Sequence, residues 1–414
     1  MSTRRILITG LSSDTGGRLA QALERRPEFD AIIGIDTDDP RHELHRTEFV
    51  RVSADHTLLR RIITAAAIDT VIDTRLIADP LLAGVQTARE VNVEATRGIL
   101  AACSGADSPV RKVVFKSSAQ VYGFDPDAPA FLAEDMPPAS GRRTELEQAI
   151  VDAEAAVAEF AGAAARGVTV TVVRLADPLG PELRGSHLAL FGLPMIPSML
   201  GFDPRWQFID EDDVIGVLAH AARHDLPGAY NAAADGVLAL SEIASLLGKS
   251  LLPVLPPWGT GFAAAQLRRL GLRIPLETIH HMRAGRGLDN RRLKASGYVL
   301  RYTSRESVLR LRAQQRLRPL LGRGPESYRY EREVEEFLRW SPSVHGAPTA
   351  GQDGDHVAPP DGYDELGEGE LISLISSLEP DALRRLRSYE LAHAARPRVL
   401  QALDRNLARR PSRR

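Results

Sequence analysis

A glycine-containing turn after the first apolar segment is the first place where residue types and spacing point to chemistry. The turn reads TGLSSDTG over residues 9–16, with Gly10 and Gly16 as its glycines and Ser13 between them. Glycine lets the backbone come close to a pyrophosphate, which the N-terminus of the following helix then stabilises. The spacing therefore predicts a dinucleotide site that contains Gly10, Ser13 and Gly16. The alternative is a tight strand-to-helix turn that binds nothing.

Asp36 bears on which dinucleotide would bind, because it stands 20 residues after Gly16 at the end of the second apolar segment. A carboxylate at this position accepts hydrogen bonds from the adenosine ribose and repels a 2′-phosphate. We therefore expect NAD rather than NADP. In a continuous strand–helix–strand context, Asp36 favours cofactor binding over an empty turn.

A parallel sheet is needed to position these residues, and the hydrophobic pattern predicts one. Short apolar runs alternate with segments of helical periodicity over roughly 170 residues. This alternation predicts an α/β fold, a doubly wound parallel sheet of the Rossmann type with helices on both faces. The predicted strands are residues 4–10, 31–36, 48–52, 69–74, 111–118 and 168–176, and the predicted helices are 16–25, 58–66, 83–104 and 144–164.

Beyond Pro181 the alternation breaks down, and we expect a smaller substrate lobe packed against the carboxyl edge of the sheet. Short strands at 207–209 and 229–232 are assigned to this lobe. Residues 363–409 carry apolar side chains at helical spacing, which predicts an appended module of short helices. The predicted domains are 1–180, the NAD-binding domain; 181–340, the lobe with the helices after it; 341–362, a linker poor in large apolar residues; and 363–414, the helical module.

Composition narrows the function classes. The formal net charge is −2 at pH 7, so nothing indicates general nucleic-acid binding. Cys103 is the only cysteine, which excludes an intrachain disulfide and fits a reducing compartment. Charged residues interrupt the chain from Arg4 onward, so no opening apolar run suits a signal peptide or a membrane span. We expect a cytoplasmic protein with no nucleic-acid, membrane or metal site.

Taken together, the motifs resemble the NAD-dependent epimerase/dehydratase family, the extended short-chain dehydrogenases/reductases that act mostly on nucleotide sugars. The similarity covers about residues 4–315, with strand-end motifs in the family's order. It implies hydride transfer between a sugar carbon and nicotinamide, with Asn92 at the cofactor and Ser118 as the catalytic serine. The motifs are TGLSSDTG (9–16), VNVEAT (91–96), VVFKSSAQVYG (113–123), VRLADPLGP (173–181), QFIDEDDV (207–214) and YNAA (230–233).

Several positions depart from the family's pattern. Ser13 replaces the middle glycine of the turn, and Asp14 beside it brings a negative charge to the place where a pyrophosphate docks. The family's adenine-recognising acid falls on Ser53, with Asp55 nearby. The remaining departures are the bulky, charged segment Asp73–Leu76 in place of small residues, and Asp177 and Asp210 in place of the family's Asn and His.

The largest departure concerns the family's proton relay. In the family a tyrosine transfers the proton, and a lysine four residues later, on the same helix face, lowers the pKa of that tyrosine. In register with that helix this sequence has Leu146 and Ile150, which cannot ionise. Between Gly123 and Ala229 the chain has no tyrosine and no lysine. The resemblance therefore implies a degenerate member in which Ser118 is a remnant.

Two nearby residues are conceivable substitutes for the missing pair. Lys116 lies two residues before Ser118, hence on the same face of the strand, and Tyr122 follows closely. The other interpretation, which we favour, is a lysine at a buried strand end and a packing tyrosine.

Three functions stay open. The first, which we favour narrowly, is a catalytically impaired protein that binds NAD or a related nucleotide ligand and acts as a sensor or scaffold. The second is an active nucleotide-sugar epimerase/dehydratase or reductase whose acid/base has moved to Lys116, Asp177 or Asp210. The third is an interaction protein that binds no cofactor.

Two assembly expectations accompany these functions. The family resemblance implies a homodimer, through a four-helix contact that includes the helices at 83–104 and 144–164. The helical module at 363–409 is either a tail or a site for a protein partner.

Overall fold

The chain, seen in a computed structural model, divides into two compact units between residues 327 and 328. The predicted linker at 341–362 and both Ser53 and Asp55 lie outside the described residues. The structure describes residues 4–52, 56–105, 107–123, 129–138, 143–163, 167–181, 183–255, 275–316, 368–375, 380–392 and 396–409.

The strands of the first unit follow the predicted positions closely over the first 175 residues. Ile6, Leu7 and Ile8 in the first strand are fully buried, as expected of a parallel strand covered on both faces. The strands are β1 (Arg4–Thr9), β2 (Phe29–Asp36), β3 (Thr47–Arg51), β4 (Thr70–Asp73), β5 (Lys112–Ser118), β6 (Thr169–Leu175), β7 (Asp177–Leu179), β8 (Met195–Met199), β9 (Arg205–Trp206), β10 (Phe208–Asp210), β11 (Gly228–Ala232), β12 (Leu238–Ala239) and β13 (Ser250–Leu255).

Seven of these strands form one parallel sheet in the order β11-β6-β5-β4-β1-β2-β3. The direction of the strand order reverses between β1 and β4. In a doubly wound sheet, this reversal leaves a crevice at the carboxyl ends of the strands where ligands bind. The predicted Rossmann-type fold is confirmed.

Helices flank the sheet, and the helix predicted at 83–104 contains a π-helical turn over Glu90–Ala95. The α-helices of the described residues are α1 (Asp14–Glu24), α2 (His56–Ala65), α3 (Val85–Arg89), α4 (Thr96–Cys103), α5 (Glu145–Ala163), α6 (Ser186–Gly192), α7 (Glu211–Arg223), α8 (Leu240–Leu247), α9 (Leu276–Ala284), α10 (Arg291–Ala295), α11 (Ser304–Arg316), α12 (Glu368–Ile375), α13 (Pro380–Ala392) and α14 (Pro397–Arg409).

The strand predicted at 229–232 does not belong to the smaller lobe. It is β11, which pairs in parallel with β6, so that Tyr230 lies opposite Val173 and Ala232 opposite Leu175. After Pro181 the chain enters the lobe and then returns to the sheet through α7. The sequence prediction missed this return because the intervening prolines and glycines hide the strand–helix alternation.

The smaller lobe of the first unit has its own core around an aromatic cluster. Phe191, Trp206 and Phe208 are buried with ring centroids 5.4 to 6.1 Å apart. Three two-stranded sheets surround this core, formed by β7 with β10, β8 with β13, and β9 with β12. The lobe supplies the outer wall of the cleft described below.

The second unit contains the three short helices that the apolar spacing predicts. Its helices α13 and α14 begin at Pro380 and Pro397, where the fixed φ of proline suits the first helical turn. Their shared core consists of Leu371, Ile375, Leu383, Leu386, Val399 and Leu403. Among the described helices of both units, none is long and apolar enough to cross a membrane.

Candidate functional site

A cleft opens at the carboxyl ends of β1, β4, β5 and β6, where the strand order reverses. Its volume is about 860 Å³, including the open mouth. The lining includes Thr15 at the start of α1, Leu76 after β4, Ser118 at the end of β5, Asp177 after β6 and Val214 on α7. The cleft therefore lies where dinucleotides bind in doubly wound sheets.

The glycine turn has the backbone shape that its sequence predicts. Gly10 has a φ of 82°, a conformation that favours glycine, and a Cβ on Gly16 would lie 2.1 Å from the Gly10 carbonyl oxygen. Ser13 is the N-cap of α1. Its Oγ donates to the Gly10 carbonyl oxygen at 2.6 Å and accepts from the Gly16 amide at 3.0 Å. The Ser13 hydroxyl is thus used inside the turn, which keeps its tight shape.

The carboxylate of Asp14 does not stand as an isolated negative charge at this turn. One of its oxygens lies 3.0 Å from Nε2 of His42, and the other lies 3.8 Å from the guanidinium of Arg18. Arg18 also pairs with Glu211 at 3.1 Å and Asp212 at 2.6 Å. Because Arg18 is shared among three carboxylates, its charge does not cancel theirs, and the expected repulsion of a pyrophosphate by Asp14 stays a prediction.

Asp36 contacts the glycine turn directly. Its Oδ2 accepts hydrogen bonds from the backbone amide of Ser12 at 2.8 Å and from the Ser12 hydroxyl at 2.5 Å. Its Oδ1 accepts one bond, from the Thr37 amide at 2.8 Å, and a carboxylate oxygen can accept more than one. Asp36 is therefore tied to the turn and keeps capacity for a further donor.

Asn92 lies away from the cleft lining. The side chain is fully buried in the π-helical turn, where its amide donates to the carbonyl oxygen of Ile77 and its oxygen accepts from the Ile77 amide, both at 2.8 Å. Asn92 therefore holds the segment after β4 in place. Any effect of Asn92 on a cofactor would act through the position of Ile77.

The segment after β4 carries a buried carboxylate and its partner. Asp73 accepts from the Thr9 hydroxyl at 2.7 Å and pairs with Arg75 at 3.1 Å. Burial acts to raise the pKa of Asp73, but Arg75 and the hydrogen bonds bring it below its usual value. A Cβ on Gly10 would lie 2.8 Å from Cγ of Arg75, so the arginine side chain packs on the glycine turn.

The two positions predicted for the family's proton relay hold buried hydrocarbon side chains. Leu146 and Ile150 lie on α5 and are 1% and 0% exposed. Neither side chain carries a proton that it can exchange at any relevant pH. Proton transfer of the family's kind cannot pass through this face of α5.

A buried polar network lies beside these two residues. Glu154 accepts from the Ser117 hydroxyl at 2.5 Å and pairs with Arg174 at 2.8 Å. Arg174 donates to the Tyr122 hydroxyl at 2.8 Å, which in turn donates to the side-chain oxygen of Asn231 at 2.7 Å. Burial raises the pKa of Tyr122, with Arg174 opposing the rise. The Tyr122 hydroxyl is committed to this network, as expected of a packing tyrosine.

Ser118 and Lys116 both line the cleft, as their shared strand face predicts. Oγ of Ser118 accepts from the Gln120 amide at 3.2 Å and caps the short 3₁₀ helix that follows β5. Burial lowers the pKa of Lys116 to about 8, with Asp73 acting in the opposite direction. The side-chain amine of Lys116 makes no hydrogen bond or ion pair with the residues that the structure describes.

Asp177 meets a histidine that the sequence did not single out. Its carboxylate lies 3.4 Å from Nδ1 of His281, whose ring stacks on Trp206 with centroids 3.7 Å apart. Burial lowers the pKa of His281 to about 4. Both residues line a small cavity that adjoins the cleft. Only tertiary structure brings β7 and α9 together, since neither segment has a recognisable spacing.

Asp210, the other acid at a family position, has a structural role. It is the N-cap of α7, accepting from the Asp212 amide at 3.0 Å, and it pairs with Arg310 at 2.8 Å. Burial raises the pKa of Asp210. Asp210 does not line the cleft that holds Lys116 and Asp177.

The described residues contain no group of three or more His, Cys, Asp and Glu side chains arranged to hold a metal ion. The cleft itself presents an amine, hydroxyl, imidazole and carboxylate groups, among them those of Lys116, Ser118, His187 and Asp177.

Comparison with known proteins identifies the family of this chain. The sequence pattern of the NAD dependent epimerase/dehydratase family matches residues 6–233, more than half of the chain. The chain belongs to this family. The match spans the glycine turn, the cleft strands and β11, which agrees with the structural finding that the sheet extends beyond Pro181.

Sequence relatives extend over both lobes. An uncharacterised protein of Mycobacterium tuberculosis is 30% identical over 313 residues, covering 73% of this chain and 81% of the relative. An uncharacterised protein of Mycobacterium bovis matches to the same extent.

Solved structures show the same fold at low identity. A putative epimerase of Burkholderia cenocepacia is 19% identical, with a TM-score of 0.57 over 76% of this chain and 98% of that chain. A mutant of Bacillus cereus UDP-glucuronic acid 4-epimerase, in complex with a fluorinated UDP-sugar and NAD, is 16% identical, with a TM-score of 0.58 over 75% and 99%.

Proposed function

We propose that this protein binds NAD at the glycine turn and a nucleotide-linked ligand in the cleft, and that it is catalytically impaired and acts as a sensor or scaffold. The observation that carries the proposal is the burial of Leu146 and Ile150, at 1% and 0% exposure, where the family has its tyrosine and lysine. Binding groups are retained while the proton relay is gone.

The residues of the turn fit NAD. Gly10 and Gly16 give the close backbone approach, and the first turn of α1, beginning at Asp14, lies beside the cleft that Thr15 lines. Asp36 has capacity to accept a ribose hydroxyl and repels a 2′-phosphate. NAD, when bound, supplies a hydride acceptor. This chain's residues would bind and orient it, without a tyrosine to move the accompanying proton.

The nucleotide-linked ligand is proposed from the family and from the cavities next to the cleft. The Bacillus cereus structure contains a UDP-sugar with NAD. In this chain, Arg205, Arg283 and Arg286 line one cavity, which gives it a cationic wall suited to phosphate. A homodimer and a protein partner for residues 363–409 remain proposals, which native mass spectrometry and pull-down from the source cells would test. A cytoplasmic location is a further proposal, and fractionation of those cells would test it.

One observation favours a second candidate function, an active enzyme with a relocated acid/base. Nε2 of His281 lies 3.2 Å from the Arg205 carbonyl oxygen, which can only accept, so this nitrogen carries the proton of a neutral ring. Nδ1 is then an acceptor, and it faces the carboxylate of Asp177. The pair therefore places an imidazole and a carboxylate, two groups that exchange protons, in a cavity beside the cleft. If the protein turns over a nucleotide sugar, kcat should fall at least about 100-fold in Asp177→Asn and in His281→Gln.

The NAD proposal predicts a specific loss of affinity. Asp36→Ala should weaken NAD binding in calorimetry by about tenfold, because a hydrogen bond to a charged group contributes about 1.5 kcal/mol. Asp38→Ala, an exposed acid two residues along, is the matched control and should change nothing. Ser12→Ala removes only the hydrogen bond from the Ser12 hydroxyl to Asp36. Its affinity for NAD shows how much of the loss comes from distortion of the turn and how much from the lost contact with the ribose. Unchanged affinity in Asp36→Ala would refute the ribose assignment, and absence of binding by the native protein would refute NAD as the cofactor.

A further inference from the structure

The four lysines of this chain differ in whether the side-chain amine has a partner. Lys112 pairs with Asp225 at 2.8 Å, and Lys294 pairs with Asp235 at 2.9 Å. Lys249 donates to Gln315 at 2.9 Å and to the Phe191 carbonyl oxygen. Lys116 has no such partner among the residues that the structure describes, although its side chain is largely enclosed.

Lys116 lines a cleft whose wall combines apolar side chains with carboxylates, including those of Asp79 and Asp177, and no ion pair joins the amine to a carboxylate of the described residues. The same cleft is lined by Leu76, Leu175, Val214 and Ile215. An ammonium group in such a place is costly, because apolar surroundings do not replace the water that solvates the charge. The pKa of Lys116, lowered to about 8 by burial, means that a substantial fraction of the amine is neutral near pH 7.5.

A lysine amine that is partly neutral near pH 7.5 and has no ion-pair partner acts as a nucleophile toward carbonyl compounds. Asp73, on the neighbouring strand β4, acts on the amine electrostatically and opposes the lowering of its pKa. Ser118, on the same strand face, lines the same cleft and supplies a hydroxyl there.

We propose that Lys116 is a covalent binding site for a small aldehyde or ketone, held in the cleft as an imine. The neutral amine nitrogen attacks the carbonyl carbon and gives a carbinolamine. Loss of water, made of the former carbonyl oxygen and two protons, then leaves a C=N bond. No oxidant or reductant is needed, and hydrolysis reverses the step. The site does not depend on the proposed NAD function, because the cleft and the amine belong to the protein alone.

The test is reductive trapping with two probes, butanone as a neutral ketone and pyruvate as an anionic one. The native protein is incubated with each probe and sodium cyanoborohydride at pH 7.5 without added NAD, and peptide mapping then quantifies alkylation at each lysine. Lys116 should be labelled on the order of 10- to 100-fold faster than Lys112, Lys249 and Lys294, because its neutral fraction is larger. Mapping also separates Lys116 from the amino terminus.

Lys294 makes the comparison stringent, because it is the more accessible amine: its side chain is 48% exposed. Labelling that follows exposure, with Lys294 first, would overturn the proposal. Lys116→Met should remove the fast label and leave the slow labelling of the other three lysines unchanged. Lys116→Arg, which keeps the charge but forms no imine under these conditions, serves the same purpose if the methionine variant folds poorly. Fast labelling of another lysine in either variant would also overturn it. The affinity of the native protein for NAD is measured separately, and it tests the proposed function independently of this labelling.

Discussion

Glu154→Leu is expected to lower the free energy of unfolding of the first unit by about 3 to 5 kcal/mol, since it strands a buried guanidinium. Arg174 is 12% exposed and Glu154 is 10% exposed, so neither charge has water to replace its partner. The loss would extend to Tyr122 and Asn231, because Arg174 orients the Tyr122 hydroxyl between them. Urea denaturation of the native and variant proteins measures the change.

A double-mutant cycle gives this prediction its controls. Adding Arg174→Met to Glu154→Leu should recover most of the lost stability, because a well-packed apolar pair replaces a buried ion pair at little cost. Arg291→Ala breaks the ion pair with Asp289 at a side chain that is 87% exposed, and it should change stability by less than about 0.5 kcal/mol. A loss below about 1 kcal/mol in Glu154→Leu would mean that the network does not hold α5 against the sheet.

Lys116→Met is expected to raise the free energy of unfolding by about 2 kcal/mol at pH 7. The unfolded chain binds a proton at Lys116 with an ordinary pKa near 10.5, whereas burial lowers the pKa in the folded state to about 8. Each pKa unit corresponds to about 1.4 kcal/mol, and partial access to water through the cleft reduces the total. Well below pH 8 the amine is protonated in both states, so folding carries the full cost of burying its charge.

The pH dependence of this gain in the free energy of unfolding shows whether the buried charge causes it. Between pH 8 and 10.5 the Lys116 amine is mostly neutral in the folded protein and mostly charged in the unfolded chain. The cost of burying the charge therefore falls as the pH rises, so the gain from Lys116→Met should shrink and disappear near pH 11. Chemical denaturation at pH 7 and at pH 10.5 measures both ends. Lys294→Met, at an exposed pair with Asp235, is the control and should show no such trend. A gain that is independent of pH would assign the effect to packing and not to the buried charge.

The sequence was sufficient for the sheet and for the glycine turn. Strands β1, β2, β4 and β5 contain apolar runs that are buried, as coverage of both sheet faces requires, and Gly10 and Gly16 occupy positions where the backbone leaves no room for a side chain. Strand β11 was assigned to the wrong lobe because its partner β6 lies more than 50 residues earlier, and no local pattern encodes that pairing.

The candidate site was predictable only in part. The strand period placed Lys116 and Ser118 on one face, and the family register placed Leu146 and Ile150 where the relay is missing. The pairing of Asp177 with His281 was not predictable, since it joins segments about 100 residues apart. The same holds for Glu147, which lies beside Leu146 and 3.8 Å from His280.

A charged residue in an otherwise apolar segment is the signal that could have revealed part of this chemistry. Glu154 on α5 and Arg174 on β6 both stand out in this way, and buried charges in proteins are almost always paired. The identity of the partner, however, depends on how the elements pack, which a single sequence does not contain.

Binding and turnover, measured on one sample of purified protein, distinguish an impaired family member from an active enzyme. NAD is titrated by calorimetry, and the same sample is then incubated with UDP-glucose and UDP-glucuronic acid while chromatography follows the sugar products. We expect saturable NAD binding, with turnover far below the roughly 1 to 1,000 per second of ordinary enzymes. Turnover within that range that persists in Ser118→Ala would contradict the loss of the relay, and the absence of NAD binding would contradict the proposed function itself.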